Sequence, residues 1–266
     1  MKGFFEYIIY SYLFKNKSIY MLIEISLIAK VVIILAPQLL IMLGIPIYIV
    51  LEARKAVFAN RRVLGLKFRE AYNLDRQLDI AIDWDDNFTI KTFVNVTFIF
   101  TAFWFGAGAT QIFGAGVAIN IFMMTTTSML FGIYLSYIIL WLDENDGIQA
   151  LITFLTILLA AICIPIFIEF NFSSSYLFLT LTILTLVLLL LEFCRGFLLV
   201  PFSRDGNKFI TWLGVIIFSL WLLWDVDFLL NQSEKINDWN SATQIAYFLY
   251  VDIVNLILYL VEAYAE

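Results

Sequence analysis

Histidine is absent from all 266 residues. That absence excludes His-ligated haem, copper or zinc, His-based catalytic triads and histidine pH sensing. Any pH response must therefore come from carboxyl groups. Cysteine is scarce: Cys163 and Cys194 lie in apolar runs, form no CxxC, and read as small core residues. Charge is scarce too. Asp, Glu, Lys and Arg make up 14% of the chain, well below the roughly 25% of a soluble domain. The net charge of −6 is no nucleic-acid footprint. No Gly-rich phosphate loop, serine-nucleophile motif or firm metal constellation is present, so the sequence predicts neither an enzyme nor a bound cofactor.

What is abundant is apolar. The chain is 62% hydrophobic and 17% aromatic, with a mean hydropathy of +0.92. Apolar runs of about 20 residues recur, the length that a hydrocarbon layer of roughly 30 Å demands. The expectation is an all-α, polytopic transmembrane helical bundle, a single integral membrane domain over residues 1–266 with the lipid bilayer as its first partner. The first apolar region, residues 18–50, is longer than one crossing needs, and Pro37 makes it one kinked helix or two short ones. Further spans are read at about 92–107, 114–141, 148–170, 176–200, 209–224 and 245–264, giving seven or eight crossings. Residues 1–20 carry Glu6, Lys15 and Lys17 and no small-residue cleavage site, so no cleaved leader is expected.

A polar insert at residues 52–91 breaks the pattern. Leu64, Phe68, Ala71, Leu74, Leu78 and Ile82 fall at helical spacing, which predicts an amphipathic helix on the membrane surface or on the bundle. Asp83, Asp85 and Asp86 form an acidic knot, read as a solvated turn rather than a cation site. The basic residues of this insert place it on the cytoplasmic side, or the organelle equivalent.

Three carboxylates stand where hydrocarbon should exclude them. Asp225 closes the apolar run 209–224, Asp227 stands beside it, and Asp252 lies mid-run in 245–261. An intramembrane carboxylate normally faces a partner, a cavity or an ion path. Asn255 follows Asp252 at i+3 and shares its stripe. The two helices are consecutive and joined by a short loop, so they should be antiparallel neighbours. Asp252 could then share a proton with Asp225 or Asp227. Glu192 and Arg195, also at i and i+3, form a second polar pair, read first as a local salt bridge. Arg195 and Arg54 are the candidate basic partners of the aspartates.

The last two segments resemble those of the transmembrane Bax-inhibitor-motif proteins. The string Leu249-Tyr250-Val251-Asp252-Ile253-Val254-Asn255-Leu256 matches that family's final helix at its fixed positions, and Trp224-Asp225 matches its aromatic-Asp pair. Weaker similarity lies at Thr125-Thr126-Thr127, near Asp146, and at Arg54-Lys55. The span 176–200 has no counterpart, and the insert is longer than the family's. The resemblance implies a seven-helix bundle with its last helix near the centre and a pH-sensitive calcium leak latched by an aspartate pair, here Asp225 and Asp252. Calcium would be the transported ion rather than a cofactor.

A second reading is a cofactor-free core membrane subunit of a mitochondrial respiratory complex, similar to the third subunit of cytochrome oxidase, with other membrane subunits as partners. The Phe- and Ile-rich composition and the string Ile148-Gln149-Ala150-Leu151 suit it, and the missing histidines count against it. The membrane would be a bacterial inner membrane or that of a mitochondrion or the endoplasmic reticulum.

Overall fold

In the computed structural model the described residues are 25–72, 78–83, 85–112, 114–139, 144–168, 172–197, 204–233 and 235–265. The expectations for residues 1–24 and for the insert's Leu74 lie outside them. Among the described residues seven helices follow one another: α1 Leu27–Phe58, α2 Asn87–Ile112, α3 Val117–Ile139, α4 Glu144–Phe167, α5 Ser175–Phe197, α6 Arg204–Gln232 and α7 Trp239–Ala265. Six of them, all but α4, are long and apolar enough to cross a membrane, and the apolar part of α4, Ile152–Phe167, is shorter. The chain is thus a polytopic helical bundle of an integral membrane protein.

Pro37 and Pro46 both lie inside the unbroken α1. In a membrane bundle neighbouring helices can re-satisfy the backbone groups a proline frees. Of the two readings of the first apolar region, the described part is one helix. It runs past Glu52, Arg54 and Lys55, which the sequence reading assigned to the polar insert. Ser26 caps its start by accepting from the Ala29 N–H at 3.3 Å.

The insert is not an amphipathic helix. Asn60 and Leu64 adopt φ of 45° and 49°, and Gly65 follows at 87°, so helical geometry stops here. Beyond it, β1 (Phe68–Tyr72) pairs antiparallel with β2 (Leu78–Ile82), with Phe68 opposite Ile82. The apolar residues that fit a helical period also fit a period of two: Leu78, Ile80 and Ile82 alternate with Asp79 and Ala81. Phe68, Ile82, Val63 and Leu66 are buried with Ile49, Ala53 and Ala56 of α1, in a small core separate from that of the bundle. The hairpin therefore hangs on the end of α1.

The acidic knot is paired, aspartate by aspartate. Asp83 lies 3.5 Å from Lys67, Asp85 2.7 Å from Arg69, and Asp86 takes Arg62 at 2.5 and 2.7 Å. No group of acidic, Cys or His side chains suited to a metal occurs among the described residues. Asp86 also caps α2, accepting from the Thr89 N–H and hydroxyl at 2.8 Å. Arg62 and Thr89 together hold its carboxyl well below the usual carboxylate range. A depressed pKa contributes stability above the unfolded value, and that contribution fades only as pH falls through the folded one. Hydrogen exchange of the hairpin, corrected for intrinsic rate, should therefore be the same at pH 5 as at pH 7. Asp86→Ala should speed it at both pH values. Equal protection in wild type and variant would mean the cap does not anchor the hairpin.

Within the bundle α7 is the hub. It packs on α6, α1, α4 and α3, while α1 packs along α3, and α5 touches α6. About 61% of the apolar window of α7 is buried against 6% for α2, which places α7 inside and α2 at the rim. Cys163, expected in the core, is exposed on α4.

Candidate functional site

Helices α6 and α7 are antiparallel and closely packed, and aromatic residues set their register. Phe218 stacks on Tyr259 with centroids 5.6 Å apart, and Trp212 meets Tyr264 edge-on at 6.2 Å. Gly214 permits the approach: a Cβ there would lie 2.4 Å from the Tyr259 ring. The same register carries Asp225 to the level of Asp252.

The structure brings these two together. Their carboxyl groups face each other across the helix pair, close enough to interact. Asp225 is 6% exposed and Asp252 8%. Asp252 stands thirteen residues from either end of α7, roughly 20 Å each way at 1.5 Å per residue. Two carboxylates cannot donate to one another, so a bond between them requires a proton. Asp225 Oδ2 is buried without a partner, one acceptor left over in the pair.

The other sequence candidates lie elsewhere. Asp227 is two residues, or about 200°, further round α6. Its Oδ2 accepts from the Ser173 N–H at 2.6 Å and from the Asn231 amide at 3.2 Å. Asn255 donates to the Val251 carbonyl at 3.0 Å. Arg54 is exposed near the end of α1. Arg195 bonds Glu262 of α7 and lies 3.6 Å from Glu192. Neither arginine is thus the partner of the aspartates, and the salt bridge read between Glu192 and Arg195 is one half of an interhelical cluster. Tyr259 lies close to Glu192 beside it.

Sequence reasoning missed Glu262, although a glutamate inside the last apolar stretch was signal enough. It also missed a polar track on another face of α7. Gln38 donates to Thr125 at 3.1 Å and accepts from Ser128 at 3.2 Å, bridging α1 to α3. The Tyr250 hydroxyl faces Ser128 without closing a well-formed bond. Nearer the start of α1, buried Lys30 donates to Asn237 through its carbonyl at 2.7 Å and its side chain at 2.9 Å. The Trp239 ring lies 5.5 Å from the same ammonium. A buried ammonium needs such partners, and here they strap α1 to the entry of α7. Asp238 caps that entry, accepting from the Ser241 N–H at 2.8 Å and hydroxyl at 2.7 Å, which hold its carboxyl below the usual range.

Compared with protein-family models and with curated proteins, the chain matches none. The similarity of its last two helices to Bax-inhibitor-motif proteins rests on the residue strings alone.

Proposed function

We propose that the chain is a pH-sensitive cation leak, a calcium channel or transporter, gated by the Asp225–Asp252 pair. One observation carries the reading: two buried carboxyls, Asp252 midway along the central helix and Asp225 on its neighbour, face each other, an arrangement that a shared proton would close. With the proton in place the pair closes α6 on α7. Without it, like charges face each other in a medium of low dielectric, and the contact is repulsive. The freed oxygens, with the unpartnered Asp225 Oδ2, are hard ligands of the kind calcium takes.

The test is calcium flux in vesicles containing the full chain. Wild-type flux is expected to change with pH, and Asp252→Asn, which keeps shape and hydrogen bonding but does not titrate, is expected to lose that change. Equal pH dependence in both proteins would move the sensor away from the pair. No flux in either would return the respiratory-assembly reading to first place. At present the exposed Phe98, Phe105 and Phe193 are what lipid-facing helices show, and they favour no partner subunit.

A further inference from the structure

A second polar feature lies on the opposite side of α6 from the aspartate pair. Trp224, Asp227, Phe228 and Asn231 follow the i, i+3, i+4, i+7 spacing of one helical face. That face borders an open pocket of about 840 Å³, lined also by Pro165 and Ile168 at the end of α4, by the turn into α5, and by Lys235. The volume is in the range of small-molecule sites. Its wall is aromatic: Trp224 and Phe228 stack at 5.0 Å, and Phe178 of α5 leans on Trp224 at 5.3 Å. Asp227 is only 6% exposed, yet it lines this space. Both of its hydrogen bonds fall on Oδ2, and Oδ1 accepts from no described residue. The Trp224 indole N–H is buried and unpartnered as well.

A buried carboxylate beside aromatic rings is the chemistry that holds an ammonium group. A lysine at the same cavity adds a site for an anion next to it. The position selects among zwitterions. The cavity lies where α4 and α6 end and α5 begins, beside apolar Pro165 and Ile168, at the boundary between hydrocarbon and water. We propose that it binds the headgroup of a zwitterionic membrane phospholipid. The ammonium would sit between Asp227 Oδ1 and the Trp224–Phe228 wall, the phosphate on Lys235, and an acyl chain along Pro165 and Ile168.

Native mass spectrometry of the full chain, released from vesicles of equal phosphatidylethanolamine and phosphatidylglycerol, tests this. Wild type should retain the zwitterionic lipid in clear excess. Asp227→Asn, losing a charge-assisted bond, should reduce that retention about tenfold. Asp227 also holds the Ser173 N–H, so two further variants separate binding from folding. Lys235→Glu, at an exposed position, and Phe228→Leu keep the question open to refutation, and each should lower retention of the zwitterionic lipid. Equal retention of both lipids by wild type, or unchanged retention in folded variants, would overturn the proposal. Complete displacement of the lipid by millimolar ethanolamine would assign the site to a soluble amine and overturn the lipid identification.

Discussion

Asp252→Leu is expected to destabilise the bundle by about 3 kcal/mol, and adding Asp225→Leu is expected to recover most of that loss. The asymmetry follows from the geometry. Each residue is more than nine-tenths buried and its carboxyl faces the other. Removing one leaves the other buried with nothing to bond, and Asp225 already carries one unpartnered oxygen. Removing both leaves an apolar seam between α6 and α7, flanked by Ile253, Leu256 and Leu222, which are buried already. Asp252→Asn should cost far less than Asp252→Leu, because its amide can still donate to Asp225. That is why it serves as the flux variant. Equilibrium unfolding in mixed micelles, read as a double-mutant cycle, measures the coupling. A double variant as unstable as the sum of the two singles would show that the pair does not act as a unit.

How much of this was legible depended on which physical signal each residue carried. The spans were legible because hydrocarbon tolerates little besides long apolar helices, and 176–200 and 245–264 return as α5 and α7 with shifts of a few residues. The meeting of Asp225 with Asp252 was legible too, since consecutive helices with a short connector are usually neighbours. The family resemblance named Asp225, but helical spacing alone left Asp225 and Asp227 both open. The two lie about 200° apart on α6, and only the rotation of the helix, fixed by Gly214 under Tyr259, decides which faces α7. The insert was misread because Leu78, Ile80 and Ile82 satisfy two periods at once. What decides between them is the backbone turn at Asn60, Leu64 and Gly65, and only the glycine announces itself in the sequence. The Lys30–Asn237 strap joins residues 207 positions apart, a pairing no local pattern can contain.

The Arg195 cluster is expected to give the other large effect. Arg195 reaches from α5 to Glu262 of α7 through one terminal nitrogen and to Glu192, 3.6 Å away, through Nε. Side-chain exposures of 27% for Arg195, 26% for Glu192 and 31% for Glu262 make this a half-buried triad at the helix ends. Two carboxylates share this guanidinium, and Tyr259 lies close to Glu192. Arg195→Met should remove the cation that both glutamates share, at a loss of about 3 kcal/mol. Arg195→Lys should recover only part of it, since an ammonium on a flexible stem lacks the planar fork that reaches both helices. Removing the repulsion is the sharper test. Adding Glu262→Gln to Arg195→Met takes away one of the two charges and should restore a good part of the stability, although Glu262→Gln alone is destabilising. Thermal unfolding of the four proteins in one detergent gives the comparison. If Glu262→Gln worsens Arg195→Met as much as it worsens wild type, the glutamates do not repel in the variant. Arg195 would then hold α5 in place through packing of its aliphatic stem rather than through charge.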